Sequence, residues 1–143
     1  YMFGIGATEM LGVLVTGEIW LKVPETLLIE WTGRLGDGLA AKDMMLHAIG
    51  RLGMDGGRYG AVEYAGSAVR ALGMQERMTL ANMTAELGGQ TGLVAPDEVT
   101  RAWLAGVGVG DVDVAPWHTD AGAPLGEHHR FDASTRAPQV AAP

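Results

Sequence analysis

Residues 77–98 read RMTLANMTAELGGQTGLVAPDE, and this stretch decides the fold because a helix, a strand and the start of another helix follow one another in it. Met74, Met78, Ala81, Ala85 and Leu87 recur at the spacing of a core-facing surface for a period of about 3.6 residues. Asn82 and Glu86 lie four positions apart, so on one continuous helix they project from a single face, with Thr79 on the same side. A carboxylate buried without a partner costs several kcal/mol, so Glu86 is expected to have either a partner or a task. Gly88 and Gly89 are expected to stop the helix. Residues 91–95 (TGLVA) then read as a short strand, and Pro96, Asp97 and Glu98 open the next helix with acids in its first turn.

The same rhythm runs upstream. Residues 8–17 have a helical pattern, with Thr8 as the expected cap, Glu9 in the first turn, and Leu11, Leu14 and Val15 on one side. Pro24 breaks the next apolar run, and residues 26–31 (TLLIEW) read as a strand. Gly33, Gly36 and Gly38 make a turn before a helix over residues 42–52, where Met45, Ile49 and Leu52 face the core and Gly53 closes the helix. After the Gly56-Gly57 turn, residues 59–64 take strand character from Val62 and Tyr64. Helix and strand alternating in this way predict an α/β fold, three-layer α/β/α with a largely parallel sheet. Residues 1–105 are assigned to that α/β portion. Residues 106–143 read as a loop or linker, with 106–130 the least structured and Val112, Val114 and Trp117 the residues that would tack it down.

Composition excludes several classes. A net charge of −7 over 143 residues, without a basic stripe, argues against a nucleic-acid surface. Apolar runs fall short of the ~20 residues that a membrane helix needs, and no basic, apolar leader ends in a cleavage site, so a cytoplasmic protein is expected. With no cysteine, a disulfide framework is excluded.

Four colinear blocks carry a resemblance: residues 4–26 (GIGATEMLGVLVTGEIWLKVPET), 33–66, 76–98 (ERMTLANMTAELGGQTGLVAPDE) and, more faintly, 131–143 (FDASTRAPQVAAP). In these the chain resembles the aconitase and isopropylmalate dehydratase family, more closely its homoaconitase-like and isopropylmalate-dehydratase-type large subunits. The resemblance implies a hydro-lyase that removes water from a hydroxy di- or tricarboxylate and returns it at the neighbouring carbon, with a [4Fe–4S] cluster as Lewis acid. It places Asn82 beside the substrate and cluster, and Glu86 as a catalytic residue where the hydroxyl or water binds. It also implies a small, swivelling subunit or domain that brings the general base. Clusters of this kind are held by cysteine thiolates, and this chain has none. The ligands are therefore expected outside these residues, and the chain is expected to be an inactive piece of a larger catalytic subunit. The other reading is a non-catalytic α/β module kept for interaction or regulation. Which hydroxy acid is handled stays open.

Remaining motifs are weaker. Gly4-Ile5-Gly6 before a helix looks like a phosphate turn, yet Glu9 replaces the third glycine of the dinucleotide fingerprint and no preceding strand is readable. The helix N-terminus could instead hold a substrate carboxylate, or simply be a tight turn. His128-His129 with Glu127, and His118 with Asp120, have metal-ligand chemistry but no helical spacing, so no metal is assigned to them. His47 is expected to face solvent. Ser67 and Ser134 have no histidine near in sequence and no nucleophile elbow. For Glu86 the structural alternative is an ion pair with Arg77 or Arg58; for Asn82 it is an amide bonded to backbone.

Overall fold

Strand formation is clearest at β2 (Thr26–Thr32), where Leu27, Ile29 and Trp31 are buried and the residues between them only half-buried. That two-residue period marks one covered face, and each buried side chain of this size contributes about 1.5–3 kcal/mol. A computed structural model gives the arrangement, and the structure describes residues 2–3 and 5–142. In chain order the elements are β1 (Met2–Phe3), α1 (Ala7–Thr16), β2, α2 (Ala41–Leu52), β3 (Ala61–Ala65), α3 (Ser67–Arg70), α4 (Met74–Asn82), β4 (Thr91–Val94), α5 (Glu98–Gly106) and β5 (Glu127–Asp132). One five-stranded sheet has the order β1-β4-β3-β2-β5. Strands β4, β3, β2 and β5 run parallel, and β1 pairs antiparallel to β4. The α/β class with a largely parallel sheet is therefore what forms.

Helices α2, α3 and α4 pack on the face carrying Ile29, Trp31 and Tyr64. Met44, Met45 and Ala48 supply the α2 side of this core and Leu80 the α4 side. Residues on the other face, Leu28, Glu30 and Glu63, are only half-buried. Three helices start alike, with the acid three residues in reaching back to the amide before the helix. Glu9 accepts from the Gly6 N–H at 2.8 Å, Asp43 from Ala40 at 2.9 Å and Glu76 from Gly73 at 3.2 Å. That bond satisfies an amide with no intrahelical partner and places negative charge at the positive end of the helix.

Several expectations need correction. The cap of α1 is Gly6, not Thr8, because Glu9 can close the turn only onto that amide. A strand does precede the Gly-Ile-Gly turn, namely β1; Gly4 itself lies outside the described residues. Strand β3 begins at Ala61, since Arg58 and Tyr59 take left-handed backbone conformations (φ 45° and 56°) that no strand accommodates. Residues 127–130, expected as loop, belong to β5, which runs in register with β2 from Leu27↔Glu127 to Thr32↔Asp132. Its charged sequence hid it: β5 is an edge strand, and His128 and Arg130 both reach Glu30 on β2, at 3.2 and 2.9 Å. Edges are commonly guarded by such charges. Within 107–126, Val114 is buried, Val112 is half-buried, and Thr119 donates to Glu63 at 2.7 Å. Among the described residues no helix is long and apolar enough to cross a membrane.

Candidate functional site

Asn82 is the last residue of α4, and Glu86 lies beyond it in a run of turns over residues 83–88. The expected single helix through both does not form. Thr84 donates to the Leu80 carbonyl at 3.1 Å, a side-chain bond to the preceding turn of the kind that bends helices. The following backbone bonds range in span from three residues to five: Ala85 N–H to Asn82 O at 3.5 Å, Leu87 to Met83 at 3.3 Å, Gly89 to Thr84 at 2.9 Å. Both Asn82 and Glu86 are exposed, so Glu86 is not the buried carboxylate that its apolar surroundings in the sequence predict. Neither side chain has a hydrogen-bond or ion-pair partner among the described residues. The residues buried on this element are Arg77, Leu80, Thr84 and Leu87, while Met74, Met78 and Ala81 are half-buried and Ala85 is exposed.

Although its carboxylate is free, the turn that carries Glu86 is fixed. Gly57 N–H donates to the Leu87 carbonyl at 2.7 Å, Tyr59 N–H to Gly88 at 2.7 Å, and Gln90 N–H to Gly60 at 2.8 Å. These three bonds tie residues 87–90 to the 57–60 loop, which includes the left-handed pair Arg58 and Tyr59. A side chain at Gly57 would strike the backbone of Gly88 and Gly89, which is why that loop can come so close. From below, the buried Tyr64 hydroxyl lies 2.8 Å from Thr84 Oγ1. With the Thr84 proton spent on Leu80, Tyr64 is the donor. Burial pushes the Tyr64 hydroxyl well above its ordinary value; the Thr84 bond opposes this, and the neighbouring Glu86 charge adds to it. Tyr64 therefore keeps its proton.

Neither proposed partner of Glu86 is available to it. Arg77 is buried and bonds Asp97 through both guanidinium nitrogens, at 2.6 and 2.8 Å. Arg58 pairs with Glu127. Asp97 is also the N-cap of α5, accepting from Val99 N–H at 2.9 Å and Thr100 N–H at 3.4 Å. The Arg77 guanidinium holds the Asp97 carboxyl below its ordinary range, against the opposing effect of burial. Behind this pair a cleft of about 940 Å³ opens between α4, β4, α5 and residues 112–123. Met78, Trp103, Leu104 and Trp117 give it apolar walls, and neither Asn82 nor Glu86 lines it.

The histidines do not converge. His128 and His129 sit at successive positions of β5 and so point to opposite faces, bonding Glu30 and Glu127 respectively. Among the described residues no group of three or more His, Cys, Asp or Glu side chains could hold a metal ion. His47, expected on the surface, is half-buried against Trp31 and Phe131, with ring centroids 6.0 and 5.5 Å away. The cause is the Arg136 guanidinium, which folds over its outer edge with Nη1 2.7 Å from His47 Nε2. Ser67 donates to Gly33 O and Ser134 accepts from Arg34 N–H, so both serve local turns. At the start of α1 the anion bonded to the Gly6 amide is the chain's own Glu9.

Two comparisons bear on what this arrangement belongs to. The family model described as "Aconitase family (aconitate hydratase)" matches residues 2–143. The chain is 44% identical over 140 residues to the probable 3-isopropylmalate dehydratase large subunit of Methanosarcina mazei. It is 40% identical over 140 residues to the 3-isopropylmalate dehydratase large subunit of Moorella thermoacetica, and 43% over 140 to that of Nitratidesulfovibrio vulgaris. Each alignment takes in 98% of this chain and 33% of the relative, so the chain spans about a third of the length of these relatives.

Proposed function

The chain belongs to the aconitase family, and from that premise we propose that it is part of the large subunit of an iron–sulfur hydro-lyase of the 3-isopropylmalate dehydratase type. The observation that carries this reading is identity above 40% sustained over 98% of the chain in one colinear alignment. Its reaction would remove a hydroxyl from one carbon and a proton from its neighbour, forming a double bond, and then return water with the two positions exchanged. A small hydroxy-carboxylate is the substrate class, and a small mobile subunit or domain is the expected partner.

The [4Fe–4S] cluster that this family implies does not fit the residues of this chain. No cysteine occurs in its 143 residues, and no other set of three ligands is assembled among the described ones. No step is therefore derived through the cluster; its thiolates would come from other parts of the subunit.

Within the chain, Glu86 and Asn82 carry the proposed role. An exposed carboxylate with no internal partner can accept a hydrogen bond from a substrate hydroxyl or from water, while the Asn82 amide, four residues earlier in the chain, offers both a donor and an acceptor. The clamp on residues 87–90 fixes the backbone that carries the acid, which suits a group that must orient a small molecule. The second reading, a non-catalytic module, draws on the same lack of cysteine. Purifying the natural polypeptide together with any smaller subunit that accompanies it, and measuring its mass, its iron content and its formation of a carbon–carbon double bond from 3-isopropylmalate, separates the two. Iron and double-bond formation in a polypeptide of the relatives' length are expected; an iron-free, inactive protein overturns the dehydratase reading.

A further inference from the structure

Along residues 7–23 the side chains expected inside a protein lie outside it. Among the described residues, none of the ten in α1 is buried. Leu14 and Val15 are each 76% exposed, Trp20 86% and Val23 89%; Met10, Leu11, Ile19 and Leu21 are exposed too. A helix of ten residues is marginal in water unless something packs on it. Eight large apolar side chains exposed within one run of 17 residues mark a surface that another molecule or segment covers.

We propose that residues 7–23 are the docking face for the polypeptide that the relatives carry beyond the third aligned with this chain. This rests on the large-subunit reading and adds where the remaining polypeptide packs. Length supplies the occupant: 98% of this chain accounts for only 33% of each relative, so two-thirds of a subunit of that length lies outside the aligned residues and is available to cover this face. Shape agrees. Beyond α1 the chain has no regular structure from 18 to 25, yet Ile19, Trp20 and Leu21 are exposed at successive positions, so the apolar surface turns through more than one side. A two-fold contact between identical copies presents one self-complementary patch and would leave part of this surface bare. Charge excludes a lipid surface as the better fit. The stretch carries Glu9 and Glu18 against a single Lys22, where interfacial helices use a basic face.

Amide hydrogen exchange tests the proposal by comparing residues 1–143 alone with the same residues inside the natural polypeptide. In the longer polypeptide the amides of residues 10–17 should exchange roughly a hundredfold more slowly than in the short chain, while those of β2 and β3 exchange alike in both. Leu14→Asp should restore fast exchange in the long polypeptide and leave β3 protection in the short chain unchanged, which separates lost docking from lost folding. Equal exchange at 10–17 in both forms overturns the proposal, as does a natural polypeptide of only 15.0 kDa. Protection that appears in the short chain on raising its concentration, or on adding anionic vesicles, overturns it in favour of a second copy or a lipid surface. Activity reports separately. Slow exchange at 10–17 in a long polypeptide without iron or dehydratase activity leaves the docking face standing and removes the function; fast exchange in an active enzyme does the reverse.

Discussion

Arg77 and Asp97 form a two-pronged ion pair that locks the start of α4 to the start of α5, and the same carboxylate caps α5. The Arg77 side chain is 3% exposed; its Nε donates to the Leu72 carbonyl, and Nη2, besides bonding Asp97, donates to the Arg70 carbonyl. Removing the acid therefore strands a buried cation, which costs about 3–5 kcal/mol, and removes a cap of about 1 kcal/mol. Asp97→Ala is expected to lower the unfolding free energy by about that total, read from urea melts. Asp97→Asn should lose less, because the amide oxygen still accepts from Val99 and Thr100. Equal losses in the two variants would show that the cap contributes nothing. The Asp97 carboxyl is held below its ordinary 3.8, chiefly by the Arg77 hydrogen bonds. A depressed acid contributes stability that is complete above about 3.8 and lost as pH falls below it. Asp97→Asn should flatten that acid limb.

His47 gives the second pH dependence. Burial, then the charges of Arg136 and Arg51, hold its imidazole below the ordinary 6.5. With Arg136 donating to the ring, only the neutral form fits. A base with a depressed value contributes stability that is complete above about 6.5 and lost as pH falls through its folded-state value. The melting temperature is expected to decline from pH 7 towards pH 5, and His47→Gln should remove most of that decline. An unchanged slope in the variant would assign it to other groups.

The turn bearing Glu86 predicts steric sensitivity at a distance. Gly92 in β4 is packed so closely under α4 that an added Cβ would overlap Thr84 Oγ1 and lie 2.6 Å from Ala81 Cα. Backbone cannot move aside as a side chain end can, so Gly92→Ala is expected to cost about 1–3 kcal/mol or more. Tyr64→Phe removes one buried hydrogen bond and should cost about 1 kcal/mol. Faster amide exchange at Gly57 and Tyr59 should accompany both, since their partners lie on the same turn. Destabilisation without that local change would mean that the two loops are not coupled.

Sequence pattern found the elements whose partners are near in the chain. Strand β2 was legible because one face is buried at every second residue, and α5 because Asp97 and Glu98 stand at its start. The α4 terminus was not, since the periodicity of apolar residues continues through 83–87 while the helix does not. What ends it is Thr84, bonded to Leu80 and to Tyr64 on β3, together with the 57–60 loop, contacts made only after folding. Strand β5 was hidden for the opposite reason. Its Glu, His and Arg residues read as solvent, and only the register with β2 turns them into a ladder around Glu30. Asn82 and Glu86 stand out in the sequence as polar residues within an apolar pattern, but the burial that this pattern implies does not hold, since both are exposed.

That same exposure makes Glu86 a clean probe of function. Its carboxylate has no internal hydrogen bond or ion pair among the described residues, so Glu86→Ala should leave the unfolding midpoint within about 0.5 kcal/mol of the parent. In the intact enzyme, iron content should also be nearly unchanged, since a carboxylate outside the thiolate set does not hold the cluster. Turnover is where the loss should fall: removing a group that positions or transfers a proton costs roughly 10²–10⁴-fold in kcat. Glu86→Gln keeps the shape and a hydrogen-bonding oxygen but not the charge, so partial recovery of KM without recovery of kcat would assign the acid to the chemical step. A Glu86→Ala enzyme with parental kcat would remove this residue from the reaction, and with it the reason for a turn held from two sides.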